Sequence, residues 1–290
     1  MKAYTLFLGL AFLTACSSKS QETNFKELFT LDKNHKEVSG MIFHQPTQKL
    51  WMLQDKGNPS ELYVYSPKGT FEKTITINNQ KNTDWEDLSQ DTHGNIYIGN
   101  FGNNDNERKD LEILKINHND LNNKAVDVTQ TTTFYYEDQK DFPPKKSNLM
   151  YDCEAFIVTD TAFYLFTKNR SKGFDGTFFI YKIPNNEGHF KAEKIAALET
   201  CSQYKGCAVT GASLNSETNK IALITHNKVF LIPFTNDASF TQENIQVKEL
   251  GHYSQKEAVT FKNNNELYIA DEKEKGKTGG NVYTLWLDNN

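Results

Sequence analysis

Apolar residues in this chain come in short runs separated by polar and glycine-bearing turns, and the runs recur in a fixed order. A first strand is predicted at Ser39-Gly40-Met41-Ile42-Phe43, with counterparts starting at Glu86-Asp87-Leu88, Glu154-Ala155-Phe156, Thr210-Gly211-Ala212 and Glu257-Ala258-Val259. Each is followed by a second apolar strand: Leu50-Trp51-Met52-Leu53, Ile96-Tyr97-Ile98, Phe163-Tyr164-Leu165-Phe166, Ile221-Ala222-Leu223-Ile224 and Leu267-Tyr268-Ile269. The turns between them, such as Thr92-His93-Gly94-Asn95 and Asn263-Asn264-Asn265, carry the residues a hairpin requires. A third strand recurs at Leu62-Tyr63-Val64-Tyr65, Leu111-Glu112-Ile113-Leu114, Phe178-Phe179-Ile180-Tyr181, Val229-Phe230-Leu231-Ile232 and Val282-Tyr283-Thr284-Leu285-Trp286. A fourth, more alternating strand is predicted at residues 71–77, 131–136, 194–198 and 245–250. The fifth unit has no fourth strand after Trp286, and Phe25-Lys26-Glu27-Leu28-Phe29-Thr30, ahead of the first unit, is the candidate to supply it.

Such a repeat predicts an all-β fold, a β-propeller of five four-stranded blades whose N-terminal strand closes the last blade and removes its open edge. Six blades stay open as an alternative if residues 121–151 contain irregular strands. A sandwich would not produce one common strand order.

The N-terminus reads differently. Lys2 precedes an apolar run over residues 6–13, then Leu13-Thr14-Ala15-Cys16 and the polar Ser17, Ser18 and Lys19. The run is shorter than the roughly 20 apolar residues a permanent transmembrane helix needs, so residues 1–15 are expected to be a cleaved signal peptide. Leu-Thr-Ala-Cys resembles the lipobox of bacterial lipoproteins, which implies that Cys16 becomes the acylated first residue and membrane anchor. Several acyl chains on one residue give stable attachment. Ser17 after the cysteine implies, by the same resemblance, an outer-membrane location. Residues 16–23 then form the lipidated cysteine and a flexible tether, and residues 24–290 a single propeller domain.

The formal net charge is −5, and loss of Lys2 with the leader moves it to about −6. A mildly acidic surface of interspersed lysines and glutamates has no electrostatic footprint for nucleic acid, and a monomer is expected. Three cysteines remain beyond Cys16, namely Cys153, Cys201 and Cys207, in what is expected to be an oxidising compartment. One disulfide is expected: Cys201 with Cys207 across a short loop, or alternatively Cys153 with Cys207.

In a propeller, the loops that start each innermost strand and those that leave each second strand meet on one face. The first group holds Ser39, Glu86, Glu154, Thr210 and Glu257, with Asp84, Asp87 and Asp152 beside them. The second holds Gln54, Asp55, Asn100, Lys168, Asn169, His226, Asp271 and Glu272. Carboxylates gathered near one axis repel unless a cation or basic side chains compensate them. Calcium suits such oxygen donors, and Glu86, Glu154, Glu257, Asp55, Asn100 and Asp271 are its candidate ligands. Zinc suits them less, His226 being the single histidine of the set. The competing reading is that these acids bond backbone amides of the adjacent blade and lock blade to blade.

Asp84-Trp85-Glu86-Asp87-Leu88 and Asn95-Ile96-Tyr97-Ile98-Gly99-Asn100-Phe101-Gly102-Asn103-Asn104 resemble a signature of bacterial propellers similar to the SdiA-regulated and esterase-like phytase families. In this chain Asn100 and Asn103 stand where that signature has aspartates, so a calcium ion held there would bind more weakly. Gly99 and Gly102 are expected to serve a tight turn with positive φ, and Trp85 to pack between blades. Two functions follow as expectations. One is a membrane-anchored module binding a carbohydrate, peptide or envelope protein. The alternative is a calcium-dependent hydrolase (lactonase, esterase or phosphoesterase) in which Glu86, Glu154 or Glu257 is the base and His226 a proton carrier. No nucleophile elbow, metalloprotease motif or phosphate loop occurs in the sequence.

Overall fold

The computed structural model describes residues 24–235, 239–273 and 279–287, so the leader, Cys16 and the tether lie outside the described residues. A lone strand, β1 (Phe25–Thr30), comes first. The first set of four is β2 (Val38–His44), β3 (Lys49–Gln54), β4 (Glu61–Tyr65) and β5 (Phe71–Ile77). The second contains β6 (Trp85–Gln90), β7 (Ile96–Asn100) and β8 (Leu111–Ile116); after the two-residue β9 (Ala125–Val126) it is completed by β10 (Gln130–Tyr136). The third is β11 (Asp152–Val158), β12 (Ala162–Lys168), β13 (Thr177–Pro184) and β14 (Gly188–Glu199). The fourth is β15 (Gly211–Asn215), β16 (Lys220–Ile224), β17 (Lys228–Pro233) and β18 (Gln246–Glu249). The last is β19 (Lys256–Asn263), β20 (Glu266–Asp271) and β21 (Asn281–Trp286), and β1 pairs antiparallel with β21 to complete it. The innermost strands β2, β6, β11, β15 and β19 neighbour one another in a closed ring.

Each seam between neighbouring sets is a separate apolar core. Trp51, Trp85 and Ile98 fill the first seam, Phe101, Phe134 and Phe156 the second, Phe166, Phe178 and Phe230 the third. Ile224 with Tyr283, and Phe43 with Tyr268, fill the remaining two. Aromatic side chains recur in all five cores, and burying apolar area contributes roughly 25 cal/mol for each Å² removed from water. The turns remain polar, which matches the mean hydropathy of −0.66.

Residues 121–151 do not form a further set among the described residues. They supply β9, which pairs parallel with the outer strand β5, and β10. β14 is long because it has two partners. Its first part pairs parallel with β10, Thr132 opposite Gly188 through Tyr136 opposite Ala192, and its second part pairs antiparallel with β13. The outer edges of the second and third sets therefore share hydrogen bonds.

At the axis the chains approach closely. A Cβ on Gly40 would lie 2.7 Å from the Leu88 amide nitrogen, and one on Gly211 would lie 2.7 Å from the Glu257 carbonyl. Asp87 is wholly buried there. Its carboxylate accepts from the amides of Leu88 (2.8 Å), Phe156 (3.2 Å) and Ala212 (3.3 Å), tying β6, β11 and β15 together. Burial pushes this carboxyl well above its ordinary range, while the three amide donors favour its charged form.

Candidate functional site at the channel mouth

The residues that start the innermost strands owe their orientation to a repeated irregularity. Val38 opposes Gln54 and Gly40 opposes Leu53, leaving Ser39 as an extra, bulged residue. Glu86 is the extra residue between Trp85 and Asp87, Glu154 between Cys153 and Ala155, and Glu257 between Lys256 and Ala258. A β-bulge breaks the alternation of faces and re-aims one side chain. Here the bulges deliver Ser39, Glu86, Glu154 and Glu257 to one cavity of about 350 Å³ at the mouth of the axis. A larger cavity of about 1040 Å³ lies at the opposite end, where the hairpins of the inner strands turn, its lining including amides and hydroxyls such as Gln90, Ser213, Asn215 and Asn263.

The equivalent positions divide by chemistry. The Ser39 hydroxyl donates to the Trp85 carbonyl at 2.8 Å, and the Thr210 hydroxyl to the Lys256 carbonyl at 2.6 Å. Each thus locks its own strand to the residue just before the next set's glutamate. The glutamates differ from both. Glu154 sits 3.2 Å from the Lys168 ammonium and 2.7 Å from Arg170, whose guanidinium also bonds Asp152. Burial raises Glu154, but Lys168 and Arg170 outweigh it and hold this carboxyl at about 2. Glu257 accepts from His226 at 3.2 Å, and the other ring nitrogen of His226 is buried without a partner. Glu86 is only 8% exposed, yet among the described residues it accepts no hydrogen bond and forms no ion pair. Burial, with Glu154, Asp84 and Asp152 adding to it, pushes Glu86 well above the ordinary range, so its neutral acid form is favoured.

A second group of acids occupies the seam between the first and last sets. Asp55 leaves β3, Glu272 leaves β20 and Glu37 precedes β2, all lining the same cavity. Burial, then Glu37 and Asp84, push Asp55 up to about 7. Burial, then Glu257 and Asp55, do the same to Glu272. Lys56, 3.4 Å from Asp84, opposes the rise of Asp55.

Four of the six candidate metal ligands, Glu86, Glu154, Glu257 and Asp55, line the mouth, and Asn100 and Asp271 do not. Asn100 accepts from the Asp84 amide and donates to Glu112. Asp271 accepts from the Asn281 amide and the Tyr283 hydroxyl inside its own set. No group of three or more acidic, histidine or cysteine side chains among the described residues stands in metal-holding geometry. Glu154 is engaged by two basic side chains. Asn103 supports the loop instead, its amide nitrogen donating to Asp152 at 2.7 Å and its side chain accepting from the Arg108 amide.

Gly99 and Gly102 do not have the expected positive φ. Crowding explains them: a Cβ would lie 2.2 Å from the Phe101 ring at Gly99, and 2.1 Å from Glu86 Oε1 at Gly102. Gly102 therefore makes room for the Glu86 carboxyl. Trp85 is buried in the seam between the first and second sets. Cys201 and Cys207 are joined in a disulfide around a single helical turn (Tyr204–Cys207), which brings the Tyr204 hydroxyl 3.2 Å from Arg170 at the mouth. Cys153 is a buried free thiol, pushed up by burial. The sequence reading missed Glu37 and Lys56, which lie outside the repeat register and so left no periodic signal.

No protein-family model matches the chain, and no curated protein matches it. Among solved structures, the PQQ-bound aldose sugar dehydrogenase of Streptomyces coelicolor aligns over 90% of this chain and 97% of that chain, at 10% identity and a TM-score of 0.53. A gluconolactonase of Xanthomonas campestris aligns over 91% of this chain and 89% of that chain, at 9% identity and a TM-score of 0.50. The fold is that of a β-propeller. At such identities the likeness is one of fold, and function has to be argued from the mouth.

Proposed function

We propose that this chain is an envelope lipoprotein, held at the outer membrane through Cys16, whose propeller binds a small polar ligand at the channel mouth. The observation that carries the reading is Glu86: a carboxyl delivered by a bulge into a small open cavity, nearly buried, and without a hydrogen-bond or ion-pair partner among the described residues. Buried polar groups are normally satisfied, so one left open at a cavity wall is a site for a ligand's polar atom. A volume of about 350 Å³ suits a small molecule or one side chain rather than a domain. Thermal-shift screening of the full chain against small sugars, amines and carboxylates tests this. Stabilising compounds are expected to lose their effect in Glu86→Ala, and a panel whose effects ignore that substitution would count against the mouth. Cys16→Ser is expected to release the protein from membranes; unchanged partitioning removes the anchor.

A hydrolytic reading stands second, because environments that push Glu86 up and Glu154 down set an acid and a base in one cavity. In it Glu154 takes a proton from the attacking water as Glu86 gives one to the leaving oxygen, and His226, paired with Glu257, is the proton carrier that resets the two carboxyls. The basic side chains of the third set are already engaged by Asp152 and Glu154, so a polyanionic phosphoester is the poorest substrate class and a neutral lactone or ester the better one. Glu86→Gln is expected to lower turnover by about 100-fold or more if it is the general acid. Equal turnover in the variant refutes that role.

A further inference from the structure

Among the described residues the mouth carries more acidic than basic side chains. Its lining contains Glu86, Glu154 and Glu257 from the bulges, Asp84 beside them, and Glu37, Asp55 and Glu272 at the seam of the first and last sets. Against these stand Lys56, Lys168 and Arg170, with the His226 ring on Glu257. Lys168 and Arg170 are held by Glu154 and Asp152, and Lys56 by Asp84. The surplus is therefore local to the seam, where Glu37, Asp55, Glu257 and Glu272 act on one another. An independent observation points the same way: Glu86 lines the cavity with no hydrogen-bond or ion-pair partner among the described residues while only 8% exposed.

Like charges this close raise the free energy of the folded chain unless protons or a bound cation neutralise them. A metal ion requires its donors to meet at one point within about 2.6 Å, and none of the described clusters does. Acids spread along a wall instead match a cation whose charges are spaced along a chain and whose N–H groups donate in several directions. We infer that the seam between the first and last sets binds the ammonium groups of an aliphatic di- or polyamine, with Asp55, Glu257 and Glu272 as counter-charges and Glu86 on the wall of the same cavity. The inference rests on the reading of the mouth as a ligand site and names its ligand class.

Isothermal titration of the purified full chain with spermidine tests it, with calcium chloride, glucose and gluconate run at matched ionic strength. Spermidine is expected to bind, with affinity falling as salt rises because the contacts are between charges. Asp55→Asn and Glu272→Gln are each expected to weaken it about tenfold or more. Both relieve like-charge repulsion, so the fold survives them. Asp160→Asn, at the opposite cavity, is expected to leave binding unchanged. Calcium that binds at the mouth and is not displaced by spermidine overturns the amine inference, as does spermidine binding indifferent to both seam variants. Glucose or gluconate binding that Glu86→Ala abolishes, with no spermidine binding, overturns the amine but keeps the mouth as a ligand site. No binding by any probe removes both.

Discussion

At the scale of single residues, the mouth separates carboxylates that hold the fold from one that does not. Arg170 bonds Asp152 and Glu154, both buried, and reaches Asn104 and Tyr204 as well. Arg170→Met removes the counter-charge from two buried acids, and a loss of about 3 to 5 kcal/mol is expected in urea denaturation at neutral pH. Glu86→Gln is expected to behave in the opposite way. Among the described residues it removes no hydrogen bond or ion pair, and it replaces a carboxyl already favoured in its neutral form, so stability should hold. A fall of about 1 to 3 kcal/mol would instead mark Glu86 as a lock between strands, since that is the loss expected for a buried hydrogen-bonded group. These roles were only partly legible in the sequence. The repeat put Ser39, Glu86, Glu154, Thr210 and Glu257 in register, but partners depend on neighbours distant in the chain, such as Lys168 and Arg170 for Glu154. The bulges were not legible at all, because an extra residue in one strand shows only against its partner's register.

Elements were more legible where pairing is local. Hairpins such as β2 with β3 and β15 with β16 announce themselves through two apolar runs and a turn. The parallel pairing of β14 with β10 joins residues far apart in the chain through no turn, so its only trace was a strand longer than residues 194–198. The closing strand was read correctly, and its packing explains what it contributes. β1 is mostly exposed, but Phe25 stacks on Tyr283 at 4.8 Å and Phe29 lies 6.2 Å from Tyr65 in the first set. Deleting residues 24–31 is expected to cost several kcal/mol, since it uncovers the edge of β21 and removes both aromatic contacts. Equal urea midpoints for the deletion and the parent would show that β21 needs no cover. The disulfide acts on a smaller loop. Cys201 and Cys207 are six positions apart, and a ring that short gives about 2 kcal/mol of chain-entropy stabilisation. Cys201→Ser is expected to lower stability by about that amount and to free Tyr204 from Arg170. A shift in Tyr204 fluorescence or exchange protection without wider unfolding would register it.

For the whole molecule, buried charge sets how stability follows pH. Glu154, held at about 2, contributes stability that is present above its unfolded value of 4.5 and is lost as pH falls through about 2. Asp55 and Glu272 work in the other sense. Their folded values of about 7 lie above the unfolded 3.8 and 4.5, so the folded chain holds more protons across that interval. Stability from these two is full below about 4 and declines as pH rises to about 7, where both carry charge beside Glu37 and Glu257. Lys256, wholly buried among the carbonyls of His226 and His252 and the Ser254 hydroxyl, is lowered by burial from 10.5 to about 8, with Asp271 opposing the shift. Between about 8 and 10.5 the unfolded chain holds more protons, so stability recovers with rising pH in that range. The three windows together predict a maximum near pH 4 to 5, a trough near pH 7 to 8 and a rise above it. Urea midpoints measured at intervals from pH 3 to 10.5 check the profile. The double variant Asp55→Asn with Glu272→Gln should lessen the fall between 4 and 7, the remainder belonging to Asp152, which burial and Glu154 push up to about 7, and Lys256→Met should remove the alkaline rise whatever its effect on absolute stability. A flat plateau from pH 5 to 8 in the parent chain would mean that the seam acids titrate normally, and the excess charge at the mouth would then be solvated rather than held.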